Sequence, residues 1–191
     1  MSAACSAASR LCTACGLCCN GVMFHTVRLQ PRDSAKELTA LGLKLKRKKG
    51  QRYILQPCPA WREAGCTIYA SRPERCRLFE CQQLQRVAAG EISEADALEK
   101  IREAQRLVDK VNTLVQQSGT TDPRRPLTKR FEKVTAEPVE AAWDAAGAAL
   151  RAELTGTMRQ LEELLDRDFR NAPLPTDLPP SDDEDQPVPS L

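Results

Sequence analysis

The 191-residue chain contains a single histidine, His25, and only 4% aromatic residues. It has no apolar run approaching the ~20 residues that a membrane-crossing helix needs, so no membrane span is expected. It lacks a Gly-x-Gly-x-x-Gly or Gly-Lys-Ser/Thr phosphate loop, which removes the motif basis for a nucleotide site. Met1 to Leu11 is a run of Ala and Ser with one Arg, without the charged start and apolar middle of a secretory signal. No apolar segment precedes Cys5, so a lipoprotein processing site is not expected either. These absences predict a cytoplasmic protein, where thiols stay reduced and clustered cysteines serve metal or redox chemistry. The shortage of large apolar side chains carries its own implication. A small domain with a thin core gains from a staple, and structural zinc can contribute ~10–16 kcal/mol to folding.

What the chain does have is cysteine. Of nine, eight fall between Cys12 and Cys81, Cys5 stands outside, and none follows. The net charge of +2 hides a segregation. Nine basic residues lie between Arg28 and Arg52 against Asp33 and Glu37 alone, while Asn171 to Leu191 holds five acids and no base. That last stretch also has six prolines, and such a segment cannot bury enough apolar surface to offset its ordering entropy.

These features divide the chain into a disordered lead (1–10), a cysteine-cluster metal-binding domain (11–90), a helical hairpin region (91–170) and a disordered acidic, Pro-rich tail (171–191). The expected class is α+β: a small metal-stapled cysteine domain with short strands and helices, then an antiparallel pair of long helices. In the first domain Val22 to Leu29 reads as extended and Asp33 to Leu41 as a short helix. Leu43 to Lys46 and Tyr53 to Leu55 read as a hairpin around Lys49-Gly50. Ser71 and Glu74 fit a capping box for a helix running from about Arg72 towards Ala89. In the second region Ser93 and Asp96 start a helix with Leu98, Ile101, Leu107 or Val108, Val111 and Leu114 at helical spacing. After a break from Gly119 to Pro126, another begins near Pro138. Its stripe is Val139, Trp143, Ala146, Leu150, Leu154, Met158, Leu161 and Leu165. The two stripes serve packing first; a protein partner could also use the 94–169 helices.

The strongest motif is Cys12-x2-Cys15-x2-Cys18-Cys19. Two-residue gaps turn successive sulfurs onto one centre, and three such thiolates with a distant fourth suit a four-iron cluster. The same gaps, paired with distant cysteines, also suit tetrahedral zinc. Adjacent side chains diverge in extended backbone, so Cys18 and Cys19 are not expected to play equal roles at one ion. The second group is Cys58, Cys66, Cys76 and Cys81. Cys76 and Cys81 on one regular helix would sit about 140° apart, and could share a metal only if that helix were interrupted. Eight thiolates make two four-ligand sites the natural count, with one cluster plus four structural thiols as the alternative. Arg72, Arg75 and Arg77 flank Cys76 and could offset thiolate charge; His25 reads as a packing or surface residue.

Together, Cys12-x2-Cys15-x2-Cys18-Cys19, Cys58 and Gly65-Cys66-x-Ile68-Tyr69-x2-Arg72-Pro73-x2-Cys76-Arg77-x-Phe79-x-Cys81 resemble the YkgJ-type cysteine-cluster family over about residues 11–85. That family is described as zinc- or iron-chelating, and a flagellin lysine N-methylase is similar in this region. The resemblance implies that Cys12, Cys15, Cys18, Cys19, Cys58, Cys66, Cys76 and Cys81 are metal ligands. It implies nothing for Cys5, the helices or the tail. The expected function is a cytoplasmic metal-binding protein holding an iron-sulfur cluster, favoured, or zinc, in a redox or maturation role. One alternative is an iron-sulfur enzyme such as a protein lysine N-methylase. A radical S-adenosylmethionine motif would need cysteines at n, n+4 and n+7, and after Cys15 and Cys19 the third position is Val22. A zinc-stabilised nucleic-acid-binding module is the other alternative, through Lys44, Lys46, Arg47, Lys48, Lys49 and Arg52. Only Tyr53 offers a nearby ring for base stacking.

Overall fold

Ser6 accepts the Ser9 N–H at 3.2 Å and starts α1 (Ala7–Cys15), the first element of the computed structural model. The structure describes residues 6–62, 65–119, 122–136 and 145–171. Helix α1 begins inside the stretch read as a disordered lead, because an Ala-rich segment behind a Ser cap favours helix and buries Leu11. Cys5 lies outside the described residues, as do the tail from 172 onward and residues 137–144.

After α1 come β1 (Thr26–Arg28), α2 (Ala35–Ala40), β2 (Leu45–Lys48) and β3 (Gln51–Leu55). The three strands form an antiparallel sheet in the order β1-β3-β2, with Ile54 opposite both Val27 and Leu45. Lys49 and Gly50 make the two-residue turn, at φ 48° and 80°. Two positive φ values match the twist of a tight hairpin, which is why Gly50 suits that position. The side chains of Lys46 to Lys49 are exposed around this tip. Below the sheet Leu38, Leu43, Ile54 and Ala60 form a small apolar core. Two further short strands, β4 (Trp61–Arg62) and β5 (Gly65–Cys66), pair with Trp61 opposite Cys66.

The long helix expected from Arg72 to Ala89 is instead two. A 3-10 turn (Tyr69–Ser71) leads to α3 (Glu74–Leu78), and α4 (Gln82–Ala88) follows after an extended Phe79. The Ser71 box does not form. The Glu74 N–H donates to Asp33 Oδ1 at 2.8 Å, a tertiary cap that displaces the local one. Phe79 leaves the helix to pack edge-on against Phe24, their ring centroids 4.9 Å apart.

The capping box at Ser93 does form, with Asp96 N–H donating to Ser93 Oγ at 3.1 Å and Ser93 N–H to Asp96 Oδ2 at 3.0 Å. It starts α5 (Glu94–Ser118), whose Ala97, Ile101, Ala104, Val108, Val111 and Leu114 are buried. Helix α6 (Leu127–Ala136) was not foreseen. Its first turn bonds back to Pro126, and only Leu127 and Val134 are buried apolar residues among many charges, too sparse a stripe to stand out. Arg130 of α6 is nevertheless buried, donating to Asn112 at 2.7 Å. In α7 (Ala145–Asp168) the expected stripe buries Leu154, Met158, Leu161 and Leu165. Lys110 meets Glu153 at 2.8 Å and Lys100 approaches Asp168 at 4.0 Å, so α5 and α7 run antiparallel. One large apolar core runs from Leu11 and Leu17 of the cysteine region through Ile101 and Val111 to Leu161 and Phe169. Each such leucine contributes ~1.5–3 kcal/mol on burial, so the part of the cysteine region that shares this core and the helices stabilise one another. Among the described residues no helix is long and apolar enough to cross a membrane.

Candidate metal centre

Cys12 and Cys15 stand three residues apart on α1 and share a face. Gly16 ends the helix in the left-handed region at φ 68°, and a built Cβ there would lie 2.3 Å from Trp61 Cζ2. The chain then turns tightly, Cys19 and Asn20 both donating to the Gly16 carbonyl at 2.8 Å. This turn carries Cys18 and Cys19. Gln105 of α5 donates to the Ala14 and Cys15 carbonyls at 2.8 and 3.1 Å, fixing the end of α1.

Cys81 is the residue preceding α4, and that helix is clamped by the end of α7. Gln82 N–H donates to the Phe169 carbonyl at 3.1 Å, Gln83 Nε2 to the Asp168 carbonyl at 2.7 Å, and Asn171 Nδ2 to the Glu80 carbonyl at 2.7 Å. The Asp168 and Phe169 carbonyls at the end of α7 are thereby satisfied. The Gln83 and Leu84 amides favour a negative sulfur at Cys81 without closing a full capping hydrogen bond. On the other side, Cys58 N–H donates to the Cys19 carbonyl at 2.7 Å, and Trp61 N–H to the Cys58 carbonyl at 3.0 Å. Cys66 lies across β4–β5 from Trp61, and Cys76 sits on α3.

All eight cysteines line one cavity, and none of them is in a disulfide. Burial pushes the thiols up: Cys15, Cys19 and Cys76 to about 12, Cys18 well above its ordinary value, and Cys12, Cys58 and Cys81 in the same direction. Neighbouring thiols add to the effect: Cys15, Cys81, Cys19 and Cys12 at Cys18, and Cys58, Cys66, Cys76 and Cys12 at Cys19. Of the three arginines around Cys76, Arg72 opposes the rise, at both Cys12 and Cys76. It is held by its own Nε donating to the Tyr69 carbonyl at 2.9 Å, with the guanidinium 3.5 Å above the Tyr69 ring. Arg75 and Arg77 are exposed. His25 is engaged elsewhere, its Nε2 with Thr128 Oγ1 of α6.

Cysteine spacing gives no sign of Arg62, whose charge opposes the rise at Cys58, or of the glutamines of the cavity wall. Gln56 and Gln83 are buried there with amide oxygens that lack a hydrogen-bond partner among the described residues. Nothing in the local sequence marks either one, since both depend on tertiary burial.

The donor chemistry fits a thiophilic metal. Eight crowded sulfurs in one cavity would bind a cation as thiolates, and soft sulfur ligands select zinc or iron-sulfur clusters. Among the described residues no three Cys, His, Asp or Glu side chains are already closed to ion-holding distance. A family of proteins described as "putative zinc- or iron-chelating domain", CxxCxxCC, matches residues 11–106. The chain belongs to this family. No curated protein and no solved structure matches it. The CxxCxxCC match runs past the last cysteine into α5, in keeping with a cysteine region that shares its core with that helix.

Proposed function

We propose that this CxxCxxCC protein is a cytoplasmic metal-binding protein with a redox or maturation role, whose eight cysteines chelate an iron-sulfur cluster, with zinc as the alternative metal. The observation that carries the reading is the lining of one cavity by all eight motif cysteines as free thiols. Iron-sulfur is favoured by the Cys12-x2-Cys15-x2-Cys18 run with a distant fourth thiol, a spacing that wraps a four-iron cluster. A bound cluster would supply one-electron chemistry, and a zinc ion would supply folding free energy. The protein's own part is to hold the thiols in an apolar wall, set their approach from α1, α4 and the β4–β5 hairpin, and place the Arg72 charge beside them. Purification without oxygen, followed by metal and acid-labile sulfide analysis with an absorption spectrum, tests this. Iron with sulfide, or stoichiometric zinc, is the expected result. A well-folded, metal-free protein whose eight thiols titrate freely overturns it.

A further inference from the structure

We infer that the eight thiols build two separate metal centres, one from Cys12, Cys15, Cys18 and Cys81 and the other from Cys19, Cys58, Cys66 and Cys76. The inference rests on the metal-binding reading above and assigns the membership of each site. Four sulfur ligands complete a tetrahedral zinc site or a four-iron cluster, so eight thiols supply two centres only if they part four and four.

The packing parts them. Cys12, Cys15, Cys18 and Cys81 all pack against the large apolar core that contains Leu11, Leu17 and Leu84. Cys58 and Cys66 pack instead against the small core of Leu38, Leu43, Ile54 and Ala60 under the sheet. Cys19 joins the second pair through the backbone, because its carbonyl accepts the Cys58 N–H at 2.7 Å. The cysteines of α3 and α4 separate in the same way. The first amide of α3 is held by Asp33, which follows β1 and also accepts the Gln30 N–H at 2.7 Å, so Cys76 belongs mechanically to the sheet side. Cys81 starts α4, which is tied to the end of α7. The break at Phe79 thus sends two cysteines five residues apart to different centres. The turn after Gly16 does the same for two adjacent ones.

A four-thiolate zinc or oxidised four-iron centre carries two negative charges, and two such centres sharing a cavity repel. Arg72, held by the Tyr69 carbonyl and lining the same cavity, places one guanidinium beside them.

The test uses the intact, metal-loaded chain. A chelator is added in steps, the freed thiols are alkylated at each step, and peptide mass spectrometry identifies them. Metal should leave in two stages, and each stage should free one complete set. Release of all eight thiols together, or pairing of Cys18 with Cys19 or of Cys76 with Cys81 in one stage, overturns the assignment while leaving metal binding intact. A chain that never holds metal overturns both readings. Cys15→Ser and Cys58→Ser provide a second measurement: each should keep about half of the bound metal, and the double variant essentially none. Loss of all metal from a folded single variant would point to one shared centre.

Discussion

Gly16 is the residue on which the first centre turns. A Cβ there would press on Trp61 Cζ2 at 2.3 Å, and φ is 68°, so both space and backbone demand glycine. Gly90 has a similar φ of 73° but open space around it. Gly16→Ala should therefore cost ~2–4 kcal/mol, adding overpacking to left-handed strain, whereas Gly90→Ala should cost ~1 kcal/mol. Urea denaturation of both variants measures the difference; equal losses would show that the indole does not constrain the Cys15–Cys18 turn. At this scale the sequence was informative about chemistry. The Cys12-x2-Cys15-x2-Cys18-Cys19 run, Cys58 and the Cys66–Cys81 motif named eight thiols, all of which line the cavity. It was silent about Arg62, Gln56 and Gln83, because their place beside the cysteines comes from folding and leaves no local pattern.

Among the elements, legibility followed the range of the forces involved. Helix α5 was readable because its capping box and its apolar period are both local, and so was the Lys49-Gly50 hairpin. The segment from Ser71 to Ala89 was misread because its start and its interruption are set by distant partners. Asp33, 41 residues away in sequence, takes the Glu74 amide, and Phe24 takes the Phe79 ring. Asp33 accepts two backbone N–H groups, from Gln30 and Glu74, so it joins the β1–α2 loop to α3. Asp33→Ala should cost ~1–2 kcal/mol, the usual loss for removing a helix cap. Cys76 should also become faster to alkylate in the metal-free chain, while Cys81, anchored through α7, should not change. A parallel gain at both cysteines would mean that α3 and α4 move as one helix and that Asp33 does not set their separation.

For the whole molecule, a single large core joins α1, α4, α5, α6 and α7, with the sheet and its small core standing on the other side of the cysteines. The thiols sit where these two apolar masses meet, and their protonation therefore links pH to the stability of the entire chain. Without metal, burial raises Cys15, Cys19 and Cys76 from an ordinary 9.0 to about 12. Above pH 9 the unfolded chain releases these protons while the folded chain still holds them. Stability contributed by the neutral thiols is thus complete below about 9 and falls as pH rises towards 12. With metal the sign reverses. The bound thiolates carry no protons, so acid competes with the cation and alkali does not. Reduced, chelator-treated protein should accordingly lose melting temperature between pH 8.5 and 10.5, chosen to span the start of that window. The metal-loaded protein should hold its melting temperature across the same range and lose it, together with its metal, on acidification. Thermal melts of both forms across pH, with metal content measured alongside, make the comparison. Parallel curves for the two forms would mean that the buried thiols are not where the metal binds.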